Sequence, residues 1–218
     1  MRAYLSRPRA IRLDLLILGL TAMFLGYFAV WLPGPGVGLQ LIGVEIGEWI
    51  KFLGVGPRRD LFYLPPVAIG LILALWTALW PNGRWHTWAA RVLAAAVALL
   101  AFPAVAAVAS EPRSQWLARL LLIGLVIAAS GLSAGLATRP PDRRVWLAVA
   151  LVAVAGAALP AWQYLAVRPV VAEVMRQPIG IGPGVWLNGL GGGLVAAVAM
   201  SEYLAGQQKR RPPQRQPS

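Results

Sequence analysis

The 218-residue chain is 58% hydrophobic and 13% charged, whereas soluble domains carry roughly 25% charged residues. A soluble fold cannot hide that much apolar surface, so the chain reads as an integral membrane protein whose natural ruler is the span of about 20 apolar residues. Its net charge of +12 sits at the ends of apolar runs, where membrane topology and anionic headgroups account for it, so no nucleic acid is expected as a partner.

Residues 1–12 form a basic leader carrying Arg2, Arg7, Arg9 and Arg12, and 13–32 form the first span. The span is longer than the roughly 7–15-residue apolar region of a signal peptide and ends in Trp31-Leu32-Pro33, so it is read as a retained helix. Gly19, Ala22, Gly26 and Ala29 recur at spacings of three and four, a small-residue face along which another helix can approach closely. Asp14, beside Arg12, is read as an interfacial anchor.

Residues 33–60 interrupt the apolar pattern. Written as a helix from Leu39 to Leu53, at about 100° per residue, Leu39, Ile42, Ile46, Trp49, Ile50 and Leu53 share one sector. Gln40, Glu45, Glu48 and Lys51 take the opposite half. At 1.5 Å per residue the segment covers about 22 Å, short of a roughly 30 Å hydrocarbon core. The expectation is therefore an amphipathic helix on the outer surface or folded over the mouth of the bundle.

The second span, 61–80, opens with Pro65 and Pro66 in its first turns, where the missing N–H groups cost little. A tight turn at Pro81-Asn82-Gly83 leads into Arg84-Trp85-His86-Thr87-Trp88, an aromatic and basic cluster of the membrane–water boundary. His86 is the sole histidine, and with no cysteine to join it a metal site lacks ligands, so it is read as a headgroup-level residue. The next spans are 92–110, with a kink at Pro103, and 116–137; Gly131 and Gly135 in the latter form a close-packing motif. Ser130 has no intramembrane base to activate it, which argues against a serine protease. The fifth span is 145–167, and after a second long connection, 168–185, the sixth is 186–205, with Gly189 and Gly193 among its many small residues. Residues 206–218 read as a disordered basic tail.

Two segments echo each other, Gly34-Pro35-Gly36-Val37 and Gly182-Pro183-Gly184-Val185, each between an apolar helix and the next. Six spans with both termini inside place thirteen of the 20 Lys and Arg residues on the cytoplasmic side, so the positive-inside rule favours a multi-pass protein of the cell (plasma) membrane with both termini cytoplasmic.

The absences narrow the activity. There is no Walker loop, no His/Cys cluster and no charge near the middle of a span, so neither nucleotide-driven chemistry nor an ion-coupled transporter is expected. The fold class expected is all-α, a bundle of about six transmembrane helices spanning 13–205 with an outer amphipathic helix, with no cofactor, no metal and no catalytic residues. The function expected is that of an accessory or scaffold subunit docking other membrane proteins or a second copy of itself within the lipid bilayer. Candidate docking or lid residues are Gly36, Ile42, Glu45, Ile46, Glu48, Trp49, Gly184 and Trp186; candidate helix-packing residues are Gly19, Ala22, Gly26, Ala29, Gly131, Gly135, Gly189 and Gly193. In outline, and in Ala22-x-x-x-Gly26 on the first helix, the chain resembles the six-helix substrate-binding subunits of energy-coupling-factor vitamin importers. That resemblance implies the alternative, a solute- or vitamin-binding subunit with 34–60 as its lid and Trp, Tyr and outer carboxylates in its pocket.

Overall fold

A computed structural model describes residues 7–34, 40–53, 56–136 and 143–208. The fold is all-α and 83% helical. Its helices are α1 (Arg7–Phe28), α2 (Gly43–Trp49), α3 (Leu64–Thr77), α4 (Trp85–Ala98), α5 (Val105–Ser110), α6 (Leu117–Leu136), α7 (Arg144–Met175) and α8 (Pro183–Gln208). Among the described residues four helical stretches are long and apolar enough to cross a membrane: Arg59–Thr77, Leu117–Gly135, Arg144–Met175 and Pro183–Gln207. The apolar helix Trp85–Ala101 is shorter.

The expected boundaries shift where local chemistry is specific. The helix expected to begin near 92 begins at Trp85, and it ends in a 3-10 turn, Leu99–Ala101. Phe102 then turns extended (φ −64°, ψ 131°), as the residue before a proline prefers, so Pro103 breaks the helix outright and α5 starts afresh. The fifth helix runs well past the expected end at 167 and carries both Pro160 and Pro169 inside it, so most of the expected connection 168–185 is helix. Arg176 ends it in the left-handed conformation, φ 52°, a helix C-cap geometry.

The insertion is also divided differently. Val30–Leu32 pairs antiparallel with Leu41–Ile42, so Ile42 belongs to a strand, and helix starts only at Gly43. The Glu45 carboxylate accepts the Ile42 N–H at 3.4 Å, which caps the first turn. A 3-10 turn over Ile50–Leu53 comes next, and a second, Gly56–Tyr63, leads into α3. Leu39 and Gly36 lie outside the described residues, as does most of the first of the two echoing turns.

α3 is the hub, packed on α4, α6, α7 and α1. Leu16, Leu20 and Met23 of α1 meet Ile69, Ile72 and Leu73 of α3, Val149 and Ala153 of α7, and Val195 of α8 in the main core. Within a bilayer apolar burial does not drive helices together, so close van der Waals fit and small residues must do so. The tightest fit joins α1 to α8. A Cβ added at Gly26 would lie 2.5 Å from the Asn188 backbone nitrogen, and one at Gly191 would lie 2.6 Å from the Gly19 carbonyl oxygen and 3.0 Å from the Ala22 Cβ. Gly70 faces α4 in the same way: a Cβ added there would lie 2.6 Å from the Ala94 carbonyl oxygen.

A second core caps one end of the bundle. Trp31, Leu32, Ile46, Ile50 and Phe62 from the insertion pack on Tyr164, Val167 and Val171 of the α7 extension and on Ile179 and Val185. Trp31 anchors it: its indole N–H donates to the Gly26 carbonyl at 2.8 Å, and its ring meets Phe62 and Tyr164 edge-on at 6.1 and 6.3 Å. The Gly182 N–H donates to the Trp31 carbonyl at 3.0 Å, and Gly184 lies directly against the indole.

Because the neighbours of Gly26 are backbone atoms, they cannot yield. Gly26→Leu is expected to cost about 2–3 kcal/mol or more, read as a lower thermal unfolding midpoint of the detergent-purified protein; an unchanged midpoint contradicts this packing.

Candidate functional site

At the capped end, six charges converge from five segments of the chain. In the 3-10 turn Gly56–Tyr63, at three residues per turn, Asp60 and Tyr63 fall one above the other. α2 brings Glu48 beside them, and the first turn of α6 contributes Arg119, 1% exposed. Arg119 donates from Nη1 to Glu48 Oε1 at 2.8 Å, its Nε lies 3.4 Å from Asp60 Oδ1, and its guanidinium sits 4.0 Å from the centre of the Tyr63 ring. The Tyr63 hydroxyl donates to the same Glu48 oxygen at 2.6 Å.

Glu111, after α5, accepts from Lys51 at 3.2 Å and from buried Arg59 at 3.3 Å; Arg59 also donates to Gln115 Oε1 at 3.1 Å. Three cations thus face three carboxylates. The arrangement straps the insertion to the start of α6 and to the loop before it. Among the described residues Arg119 Nε and Nη2, Asp60 Oδ1, Arg59 Nη1 and the Tyr27 hydroxyl are buried without a hydrogen-bond partner.

Burial works to raise the Glu48 carboxyl, but hydrogen bonds from Tyr63 and Arg119, with the charges of Arg119 and Arg59, outweigh it and hold the group below its ordinary range. A depressed carboxylate stabilises the fold above its ordinary pKa, and that contribution is lost as pH falls through the lowered value.

A second polar group lies at the opposite end, between α3, α4 and α6. Buried Arg91 donates to Ser133 Oγ and to Asn82 Oδ1, both at 2.9 Å, and sits 5.0 Å from the Trp88 ring centre; Ser133 also meets Thr77 at 3.1 Å. Arg91 has no carboxylate partner among the described residues.

The residues singled out from sequence separate into groups. Of the docking or lid candidates, Glu48 joins the charge cluster, Ile46 is buried in the cap, Trp49 and Ile42 are half-buried, Glu45 is exposed, and Gly184 is packed under Trp31. Trp186 is 60% exposed on α8, away from both polar groups. Of the packing candidates, Gly19, Ala22 and Gly26 lie at the α1–α8 contact, and Ala29 accepts the Gly43 N–H at 3.3 Å. At Gly131, Gly135, Gly189 and Gly193 an added Cβ would meet nothing within 4 Å. Arg119, Arg59, Tyr63 and Tyr27 are site residues that sequence patterns do not single out; Arg119 carries one signal, a cation set two residues inside an apolar helix.

The fold is that of an all-α protein with, among the described residues, four helices long and apolar enough to cross a membrane. No protein-family model matches the chain, and no curated protein or solved structure matches it.

Replacing Glu48 by Gln leaves Arg119 with the misaligned Asp60, and a cost of about 1–3 kcal/mol is expected. The wild-type unfolding midpoint is expected to fall on acidification below the ordinary Glu pKa of about 4.3 and that of Glu48→Gln to fall less. Parallel pH profiles would show that Glu48 bears no such load.

Proposed function

We propose that this is a non-catalytic accessory or scaffold subunit of the cell membrane that crosses the bilayer six times and docks other membrane proteins through outward-facing glycines. The observation that carries the reading is the outer face of α6. Gly124, Ala128 and Gly131, at spacings of four and three, are all exposed, and a Cβ at Gly124 or Gly131 would meet nothing within 4 Å. On α8 a Cβ at exposed Gly193 or half-buried Gly189 would likewise meet nothing within 4 Å. Glycine costs about 1 kcal/mol relative to Ala within a helix and gives lipid little to pack against; its advantage is the close approach of another helix.

Support for six crossings comes from the four long apolar stretches together with α1 and the shorter Trp85–Ala101. At 1.5 Å per residue that last helix covers about 25 Å, a mismatch that modest bilayer thinning accommodates. The charge cluster joins the loops of one end; at the other end Arg12 pairs with Glu202 at 2.7 Å and Arg143 lies 5.7 Å from the Tyr203 ring. The positive-inside rule assigns the second, arginine-rich end to the cytoplasm. Cysteine introduced at Gly56 should then label from outside in intact cells and cysteine at Arg143 should not; the reverse pattern would invert the orientation.

Gly131→Leu and Gly193→Leu are expected to leave the unfolding midpoint nearly unchanged while removing the subunit, or second copy, that co-purifies in mild detergent. Retention of every partner by both variants, or a wild-type chain that crosslinks to nothing in native membranes, overturns the docking reading. The alternative, a solute-binding subunit with 34–60 as its lid, draws on the Tyr27 hydroxyl and Arg119 Nη2, buried without a hydrogen-bond partner among the described residues; a ligand-dependent melting shift across vitamins and metabolites would favour it.

A further inference from the structure

Between α1 and α4, with α3 as its floor, runs an apolar groove of about 430 Å³. Ile17, Leu20 and Phe24 form one wall, Leu73 and Trp76 the floor, and Leu93 belongs to the other wall; Thr21 supplies the hydroxyl among its lining residues. The volume falls within the range of small-molecule sites. A transmembrane helix, about 10 Å wide and 30 Å long, is several times too large to be enclosed there, whereas a single hydrocarbon chain is slender enough.

The groove has a polar end. Trp76 and Trp80 meet edge-on at 4.8 Å, and Trp80 meets His86 at 5.9 Å, so the imidazole stands at the mouth. On α4, His86, Ala90, Leu93 and Val97 share one face by their spacing of four, three and four, and the last three line the groove. Exposed Arg84 is the N-cap residue of α4, and the helix start adds a partial positive charge. Arg84 makes no ion pair among the described residues. The same end of the bundle carries Arg12, Arg91, Arg143 and Arg144, against Asp14 and Glu202 as its described carboxylates. An amphiphile with an apolar chain and an anionic head complements both halves.

We propose that this groove is a specific site for an anionic phospholipid, with one acyl chain along α1, α3 and α4 and the phosphate at the Arg84–His86 start of α4. The aromatic side chains at the mouth lie where a glycerol backbone meets the hydrocarbon, and Arg84 and the free end of α4 face the headgroup. The site uses none of the outward glycines of α6 and α8, so it stands or falls independently of the docking reading.

The test offers the full-length detergent-purified protein an equimolar mixture of phosphatidylglycerol and phosphatidylcholine and counts bound lipid by native mass spectrometry. Retention of one phosphatidylglycerol in preference to phosphatidylcholine is expected. Arg84→Gln should reduce that preference about fivefold, the weight of one basic group at an anionic surface. Ala90→Trp, which fills the groove from α4, should abolish retention with the unfolding midpoint unchanged; Ile17→Trp fills it from α1 and serves if the first variant does not fold. Equal retention of both lipids, retention that survives both groove-filling variants, or a crosslinker at Leu93 that captures a protein helix in native membranes would overturn the proposal.

Discussion

The α1–α8 contact is the constraint on which the rest of the molecule depends. The two helices meet backbone against backbone at Gly19, Gly26 and Gly191, a separation that no side chain larger than hydrogen permits. In lipid, where apolar burial supplies no net pull between helices, a fit of this kind contributes through dispersion and close carbonyl contacts. It also fixes Trp31. That side chain hangs from the Gly26 carbonyl, rests on Gly184 and forms the base on which the insertion, the α7 extension and the Gly182 turn assemble.

The charge cluster builds on that base and plays a different part. Burying Arg119 costs several kcal/mol of lost hydration, which only well-placed partners offset. Glu48, Asp60 and Tyr63 can be those partners only when the insertion is folded down onto the start of α6. The cluster therefore reports whether the cap is seated, in a way that an apolar contact would not. At the other end, Arg91 is bonded to Ser133 and Asn82 and has no carboxylate partner among the described residues, so the arginine-rich end holds its buried cation with neutral acceptors.

How much of the molecule is legible in its sequence depends on the range of the physics involved. The four-and-three spacing of Gly19, Ala22 and Gly26 identifies a packing face from a single helix, and the structure places α8 on it; spacing cannot say which helix comes. Pro103 is visible as an interruption, but whether a proline kinks or breaks a helix depends on the backbone around it, and Phe102 turning extended decides for a break. Pro169 and Arg168 look like the end of a span, yet α7 continues through them, with the Arg168 side chain donating to the Ile179 carbonyl of the loop beyond. The amphipathic period over 39–53 sets Ile46 and Ile50 on the apolar side, where both are buried, but it puts Glu48 on the opposite, polar half, whereas Glu48 turns in to Tyr63 and Arg119, and the helix itself covers only Gly43–Trp49. It misses the strand at Leu41–Ile42, because that pairing is made with Val30–Leu32 and no local pattern encodes it. Arg59 and Arg119 look like topology charges, since a cation near a span end reads alike whether it meets water or a folded-back loop.

A thiol crosslink between α1 and α8 tests the central contact most directly, and the chain's lack of cysteine gives a clean background. Cysteines at Arg12 and Glu202, whose side chains meet at 2.7 Å across the same two helices, should be joined by a short flexible bis-maleimide in native membranes, whereas cysteines at Arg12 and Trp186, at the other end of α8, should not. Failure of the first pair to crosslink, or equal crosslinking of both, would contradict the account.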